Sequence, residues 1–332
     1  MALYTMRQHE RAAINWEVYS SLQKTRKKSL MPQTNHCGSV CMPHQATAME
    51  LWNNMDRWIL ENESYFLPPV CNKMMHKEGQ LKVFFVGGPN QRYDYHIEEG
   101  EEMFYMVKGD MVLKVLERGR PKDVVIREGE VFLLPARIPH SPQRQRDTVG
   151  LVIERERAEN ELDCLRYYTD ERCSQTLFER WMHCKNLNHD LVPVINEFLH
   201  SEEYRTKRPG KMSFISKEAY SIDIETTLEP PFKLDKWLQQ HQRELSSPGS
   251  SRCLFQGKHQ SDIMVFGAGT HSRRNKNYET FLWQTSGSSS VIVNNVQQCL
   301  NINDTFLVTE EHEFCFSNST DGRTIAVSMP PL

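Results

Sequence analysis

The sequence has no C-x-x-C pair, no long apolar run and no strong excess of either charge. Its nine cysteines stand apart, which excludes a zinc ribbon and gives no disulfide framework. Since 40 basic residues face 43 acidic ones, nothing in the overall charge indicates a nucleic-acid partner. No run approaches the roughly 18 apolar residues of a membrane span, and the N-terminus lacks the apolar segment of a secretory signal. We expect a cytosolic protein with reduced thiols and no membrane partner.

The length and composition indicate more than one domain. At about 150 residues per domain, 332 residues suffice for two, and 39% hydrophobic residues provide a normal core. We predict a disordered extension over residues 1–48, a first domain over 49–208, a linker over 209–227 and a second domain over 228–332. We predict that the extension is disordered because it contains a basic run and a polar, proline-containing stretch without apolar periodicity.

Two features of the extension suggest other roles, and we reject both. Its basic character resembles an organelle address, but Glu10 and Glu17 argue against that. Four potential zinc ligands lie close together there, yet a structural zinc site needs a supporting fold. These four residues are His36, Cys37, Cys41 and His44.

The apolar pattern after residue 48 predicts a mainly β protein with flanking helices. A helical stripe runs from Leu51 to Ile59, and short β-type runs separated by glycine turns follow from Leu81 to Ile153. Such short, evenly spaced runs are typical of an antiparallel barrel or sandwich. A helical stripe is predicted next, and a second set of strands repeats the first in outline. The residues of that helical stripe are Leu177, Trp181, Leu191, Ile195 and Phe198.

Two motifs in the first domain have the spacing of a metal-binding barrel. Six residues separate Glu102 from Gly109, five separate Gly129 from Pro135, and His140 is the fifth residue after that proline. With the preceding segment Arg92-Tyr-Asp-Tyr-His96, they resemble the two signature motifs of the cupins. We therefore expect a bicupin fold of two antiparallel, jelly-roll type β-barrels.

Two imidazoles and one carboxylate form the facial triad that commonly holds non-haem Fe(II). We predict His96, Glu102 and His140 as the metal ligands. Glu98, Glu99 and Glu101 are rivals for the carboxylate, and Asp94 could be a fourth ligand because it shares the strand face of His96.

Three further residues could surround the metal. Arg92 and Arg144 each lie four residues from a predicted histidine ligand, and Glu154 ends an apolar strand. An arginine binds a planar carboxylate in a bidentate manner, as a small aromatic acid would require. A surface ion pair among such residues is the alternative.

Longer runs of the sequence narrow the resemblance from cupins in general to one enzyme family. The runs VGGPNQRYDYHIEEGEEMFY, DVVIREGEVFLLPARIPHSPQR and TVGLVIE resemble the animal, two-cupin 3-hydroxyanthranilate 3,4-dioxygenase family. The resemblance implies an extradiol-type opening of the ring of 3-hydroxyanthranilate by O2, on the route from tryptophan to NAD. The product, 2-amino-3-carboxymuconate semialdehyde, cyclises to quinolinate. Bacterial relatives hold a second iron with C-x-x-C pairs, so the absence of these pairs fits the single-iron, monomeric animal type.

The resemblance also implies residue roles. Fe(2+) would be bound by the residues that match His96, Glu102 and His140. Arg92 matches the arginine on the dioxygen side, Arg144 the one that binds the substrate carboxylate, and Glu154 a substrate-binding glutamate. Glu102 would also contact the substrate. Arg92 and Glu154 would thus take part in catalysis.

The second domain departs from the cupin pattern. If Phe281 is aligned with Phe104 and Phe306 with Phe132, the position of His96 falls near Arg273 and that of His140 on Phe314. Glu279 is then the one acid left, and His312 is two residues out of place. We expect a degenerate barrel without metal.

Two other functions remain open from the sequence alone. A non-catalytic cupin would bind a small aromatic acid or a metal without turnover. A cupin enzyme with a different metal could catalyse another reaction, such as an isomerisation, because the triad does not exclude Mn, Ni or Zn.

Overall fold

The computed structural model describes residues 51–68, 71–76 and 79–331. The predicted extension over 1–48 and its four potential zinc ligands lie outside these residues. Within them, every cysteine is a free thiol. No helix in this part of the chain has both the length and the apolar character needed to cross a bilayer.

Short antiparallel strands form most of the first half. Tight turns such as Gly109, with φ of 67°, connect them; a Cβ there would lie 2.9 Å from Thr148 Cγ2. The strands are β1 (Trp52–Asn54), β2 (Asn72–Met74), β3 (Leu81–Gly87), β4 (Asn90–Gln91), β5 (Tyr95–Ile97), β6 (Glu102–Lys108), β7 (Met111–Glu117), β8 (Arg120–Ile126), β9 (Glu130–Leu134), β10 (His140–Arg144), β11 (Val149–Arg155), β12 (Asp163–Tyr168) and β13 (Thr176–Met182).

A second series of strands follows the helical middle of the chain. These strands are β14 (Phe232–Lys233), β15 (Ser251–Cys253), β16 (Asp262–Phe266), β17 (Gly269–Arg274), β18 (Thr280–Ser286), β19 (Ser289–Val293), β20 (Val296–Leu300), β21 (Asp304–Val308), β22 (Glu313–Asn318) and β23 (Arg323–Ser328). The α-helices are α1 (Met55–Glu61), α2 (Leu187–His200), α3 (Glu202–Thr206), α4 (Leu234–Gln240) and α5 (Gln242–Leu245), and a short 3-10 helix spans Glu63–Phe66.

The strands form two units of two sheets each. In the first unit, the inner sheet has the order β14-β9-β6-β11-β3-β2, and the outer sheet has the order β13-β12-β5-β10-β7-β8 with β4 beside β10. In the second unit, the sheets are β1-β21-β18-β23-β16-β15 and β17-β22-β19-β20. The sheets stay open rather than closing into barrels. The predicted fold class, mainly β with two antiparallel jelly-roll units and flanking helices, is confirmed.

The two units exchange edge strands. The early strand β1 pairs with β21 of the second unit, where Trp52 faces Phe306. In return, β14 pairs with β9 of the first unit, where Phe232 faces Val131. Each strand covers a sheet edge of the other unit and thereby removes exposed backbone groups that invite aggregation.

The largest hydrophobic core lies between the units and not inside either one. Apolar side chains of the inner sheet, such as Phe85 and Met103, pack with Phe281, Trp283 and Leu307 of the second unit. Separate clusters fill the interior of each unit. The shared core therefore joins both units into one body.

Two parts of the predicted helical pattern were wrong. Leu177 and Trp181 lie in strand β13, and only the later residues of that stripe lie in α2. A spacing of four residues fits one helical turn and also two repeats of a strand, so the pattern was ambiguous. Trp52, predicted as helical, lies in β1, because Asn54 caps α1 by accepting a hydrogen bond from the Arg57 amide at 3.1 Å.

The shared core predicts that both units unfold together. Phe85→Ala in the first unit and Phe281→Ala in the second should each lower the free energy of unfolding by about 3–5 kcal/mol. Both changes should shift the same single transition in calorimetry or urea titration. The exposed Ile302→Ala is the control and should change stability by less than about 0.5 kcal/mol. Two transitions, each sensitive to one variant, would contradict a shared core.

Candidate functional site

Two histidines meet inside the first unit because their strands are neighbours. His96 on β5 and His140 on β10 are directly opposite each other in the antiparallel pairing, with ring centroids 5.3 Å apart. Directly opposed residues point to the same face of a sheet, and here that face is the interior. Both rings are buried, at 4% and 2% exposure.

The facing inner sheet contributes the carboxylate. Glu102 begins β6, and its side chain joins those of the two histidines so that ligand atoms from all three lie within 4.8 Å of one another. The structure therefore brings together the three residues that the motif spacing singled out.

The donor atoms of this group suit a metal ion. His140 Nε2 lies 2.8 Å from Glu102 Oε1, yet that buried oxygen has no hydrogen bond of acceptable geometry. His140 Nδ1 is engaged by the carbonyl of Ile138 at 3.0 Å, which directs Nε2 towards the group. The charge of His140 holds the pKa of Glu102 well below its usual range despite burial, so the carboxylate is available as an anionic ligand.

The rival carboxylates have other partners. Glu99 pairs with Arg137 at 2.6 Å, and Glu101 accepts a hydrogen bond from the Ser261 amide at 2.8 Å. Glu98 remains in the buried site, within 4.8 Å of Glu102 and Glu154, but it is not grouped with the histidines. Burial, followed by the repulsion of neighbouring carboxylates, raises the pKa of Glu98 well above its ordinary value.

Arg92 and Asp94 form an ion pair beside the site. The guanidinium donates from Nε to Asp94 Oδ2 at 3.0 Å and makes a second, shorter contact through Nη2. Burial alone would lower the pKa of Arg92, but Asp94, followed by Tyr167 and Glu102, raises it. Asp94 is thus the ion-pair partner of Arg92 and does not belong to the group of three potential ligands. This argues against Asp94 as a fourth metal ligand.

Arg144 is a buried cation that has no ion-pair partner among the described residues. It is 2% exposed, and within the described residues it makes no ion pair, while its Nε has no acceptor. It follows His140 by four residues on β10, so both point to the same interior face. Burial lowers the pKa of Arg144 to about 10, although the negative charge of Glu102 acts in the opposite direction and raises the pKa. A buried unpaired cation is costly, and an anionic ligand would relieve that cost.

Glu154 points into the same interior from β11 but is not free. It contacts Arg157 at 2.9 Å. Burial raises the pKa of Glu154, and the attraction of Arg157 only partly opposes this. The sequence-based alternative of an ion pair therefore holds for this residue, although the pair is buried and not on the surface.

Sequence reasoning missed two charged residues of the site, Asp163 and Arg157. Asp163 Oδ2 lies 2.7 Å from His96 Nε2, which leaves Nδ1 of that ring for a metal. Arg157 donates to both oxygens of Asp163, at 3.0 and 2.9 Å. Metal-ligating histidines usually have a carboxylate hydrogen-bonded to their second ring nitrogen, so such a residue could be expected. No local sequence motif shows which residue it is.

The second unit has no counterpart of the three-residue group among the described residues. Arg273 and Phe314, which the sequence alignment placed at the positions of the two histidines, lie directly opposite each other on β17 and β22. The alignment of Phe281 with Phe104 was wrong by one residue: Phe306 faces Leu282, as Phe132 faces Phe104.

The corrected register places Thr280 at the position of Glu102. Glu279 points out of the second unit instead, where it accepts a hydrogen bond from the Leu81 amide at 2.9 Å. His312 is held by Thr309 at 2.9 Å in the turn before β22. A shift of one residue along a strand reverses the face of every side chain, which explains why the acid faces the first unit.

Comparison with known proteins shows close relatives. A family model for 3-hydroxyanthranilic acid dioxygenase matches residues 48–199. The chain is 45% identical over 283 residues to the 3-hydroxyanthranilate 3,4-dioxygenase of Rattus norvegicus, covering 85% of this chain and 98% of that protein. The chain belongs to the 3-hydroxyanthranilate 3,4-dioxygenase family.

Other members of the 3-hydroxyanthranilate 3,4-dioxygenase family are similarly close. The Homo sapiens protein is 46% identical, over 82% of this chain and 94% of its own. The Nematostella vectensis protein is 47% identical, over 78% of this chain and 92% of its own.

Solved structures resemble the chain only distantly. A cupin 2 conserved barrel domain protein from Leptotrichia buccalis has 10% identity and a TM-score of 0.46, over 84% of this chain and 95% of that one. A mutant of Bacillus subtilis oxalate decarboxylase has 14% identity and a TM-score of 0.42, over 79% and 72%.

The unpaired state of Arg144 predicts an unusual stability effect. In protein free of metal and substrate, Arg144→Met should raise the free energy of unfolding by about 1 kcal/mol or more, because it removes a buried charge without breaking an ion pair. Arg157→Met is the matched control and should lower it by about 3–5 kcal/mol, since three carboxyls lose their cation. Urea titration measures both. Equal losses in the two variants would contradict an unpaired Arg144.

The three-residue group predicts a single metal site in this family member. Anaerobic Fe(II) should raise the melting temperature of the metal-free protein, since a ligand that binds the folded state stabilises it. Glu102→Ala and His140→Ala should abolish that increase. The control, His271→Ala, removes a buried histidine of the second unit whose Nε2 contacts the Gly267 carbonyl at 3.0 Å. An undiminished increase in Glu102→Ala would rule out this site.

Proposed function

We propose that this protein is a ring-cleaving dioxygenase that converts 3-hydroxyanthranilate and O2 to 2-amino-3-carboxymuconate semialdehyde, the precursor of quinolinate. One observation carries the proposal: an unpaired, buried Arg144 lies on the same strand face as a ligand of a two-histidine, one-carboxylate group. The relatives that are 44–47% identical to this chain are named for this activity. A non-catalytic binding protein is not favoured, because those relatives are named as enzymes.

The cofactor of the proposal is Fe(II), held by His96, Glu102 and His140. This donor set is typical of non-haem iron oxygenases and leaves positions open. Bound Fe(II) would supply the electron transfer between substrate and O2. Asp163 fixes the tautomer of His96, and the Ile138 carbonyl fixes that of His140, so each ring offers one nitrogen to the metal.

The remaining site residues bind and orient the substrate. Arg144 binds its carboxylate through a bidentate pair, which neutralises the unpaired guanidinium. Glu154 accepts the proton of the substrate hydroxyl or amine, and its raised pKa makes it a stronger base than an ordinary glutamate. Arg92, oriented by Asp94, stabilises the negative charge that develops on dioxygen as it is reduced. Glu102 also contacts the substrate.

The proposal includes the organisation of the whole chain. Residues 49–208 supply the catalytic unit, and residues 228–332 supply a unit without metal whose role is to cover the inner sheet. The intervening residues 209–227 connect them. We propose a monomeric cytosolic enzyme, since each unit already receives an edge strand from the other half of the same chain.

Oxygen uptake tests the proposal directly. Protein loaded anaerobically with Fe(II) and mixed with 3-hydroxyanthranilate in air should consume O2 and form the semialdehyde chromophore. Absence of both would refute the proposed function.

A substrate analogue isolates the role of Arg144. Arg144→Met should lower kcat/KM for 3-hydroxyanthranilate by a factor of about 100 or more, because a charge-assisted bidentate pair is lost. The same variant should change kcat/KM for 2-aminophenol, which has no carboxylate, by less than about threefold. Equal losses on both substrates would contradict carboxylate binding by this residue.

A further inference from the structure

Arg157 lies at the centre of a buried network of carboxyl groups. Its side chain is 5% exposed and contacts Glu98 at 2.5 Å, Glu154 at 2.9 Å and Asp163 at 2.9 Å. Burial alone would lower the pKa of Arg157, but these three carboxylates raise it well above its ordinary value. The guanidinium is therefore permanently charged and holds three acids that would otherwise repel one another.

The network joins two residues with different proposed tasks. On one side, Asp163 carries the contact on to His96, whose Nε2 lies 2.7 Å from Oδ2. On the other side, Nη1 of Arg157 contacts Glu154 Oε1 directly. A single guanidinium thus connects a metal-ligating imidazole with a substrate-binding carboxylate.

We propose that Arg157 is a positioning residue of this site, which fixes the orientation of Glu154 towards the substrate and, through Asp163, that of His96 towards the metal. The inference rests on the proposed function and deepens it. In this proposal Arg157 does not bind the metal or the substrate itself; it acts through two of its three carboxylate neighbours, Asp163 and Glu154.

The planar fork of arginine is what this task requires. Nε and Nη2 grip both oxygens of Asp163, while Nη1 is left to reach Glu154. A lysine ammonium is a compact point charge and cannot hold two carboxylates in these fixed directions. Replacing Arg157 with lysine therefore retains the positive charge but releases at least one of the two carboxylates.

Arg155 provides a matched control two residues away on the same segment. It is also buried and forms a two-pronged ion pair, with Glu161 at 2.6 and 2.5 Å. In the described part of the chain, Arg155 pairs with Glu161 and not with Asp163 or Glu154. Arg155→Lys therefore loses a comparable buried pair without disturbing the proposed connection.

The first test measures metal affinity and needs no activity. In anaerobic chelator competition, Arg157→Lys should bind Fe(II) about 10–100-fold more weakly than the wild type. The reason is that Asp163 is held less firmly and no longer fixes the orientation of His96. Arg155→Lys should bind within about twofold of the wild type. Equal affinity of Arg157→Lys and the wild type, or equal weakening in both variants, would overturn the connection to His96.

The second test measures the connection to Glu154 by a double-mutant cycle. With iron saturating, Arg157→Lys and Glu154→Gln should each lower kcat/KM for 3-hydroxyanthranilate, and the double variant should be little worse than Glu154→Gln alone. Additive losses would overturn the connection to Glu154. If the wild type is inactive on this substrate, the proposed function fails, while the metal-affinity test still decides the role of Arg157 towards His96.

Discussion

The register between β5 and β10 is the constraint on which the site depends. Because His96 and His140 are directly opposed in an antiparallel pair, both imidazoles enter the interior at one level. The alternation of side chains along β10 then places Arg144 on the same face, and the facing inner sheet supplies Glu102 and Glu154. A slip of one residue in either strand would turn the histidine of that strand outward.

Charge balance is the second consequence of this arrangement. Four buried carboxyl groups surround the site. Among the described residues, His140 offsets Glu102, and the arginines available to the others are Arg157 and Arg144, because Arg92 is already paired with Asp94. The acids are Glu98, Glu102, Glu154 and Asp163. Buried charge of this kind is stable only when it is paired or coordinates a metal. A divalent cation at the histidines and an anionic substrate at Arg144 would satisfy both requirements at once, so the same buried charges also make the site selective.

Local spacing was sufficient to predict much of the fold and the site. The two motifs located three residues that the structure brings within 4.8 Å, although they come from separate strands. Asp163 and Arg157 could not be found this way, because a carboxylate partner is recognised by its distance to His96 and not by any local pattern. The exchange of β1 and β14 between the units was also invisible, since short edge strands carry little periodicity. The prediction that Leu177 and Trp181 are helical was wrong for a different reason, because their spacing fits both a helix and a strand.

The central claim is that this cluster incorporates dioxygen into an aromatic acid bound by Arg144. The most direct measurement is isotopic labelling: Fe(II)-loaded protein reacts with 3-hydroxyanthranilate under ¹⁸O₂, and the ring-opened product is trapped by reduction and analysed by mass spectrometry. The account predicts that both labelled oxygen atoms enter the ring-opened product, with Glu102→Ala giving no product. A product carrying one labelled atom or none would contradict it.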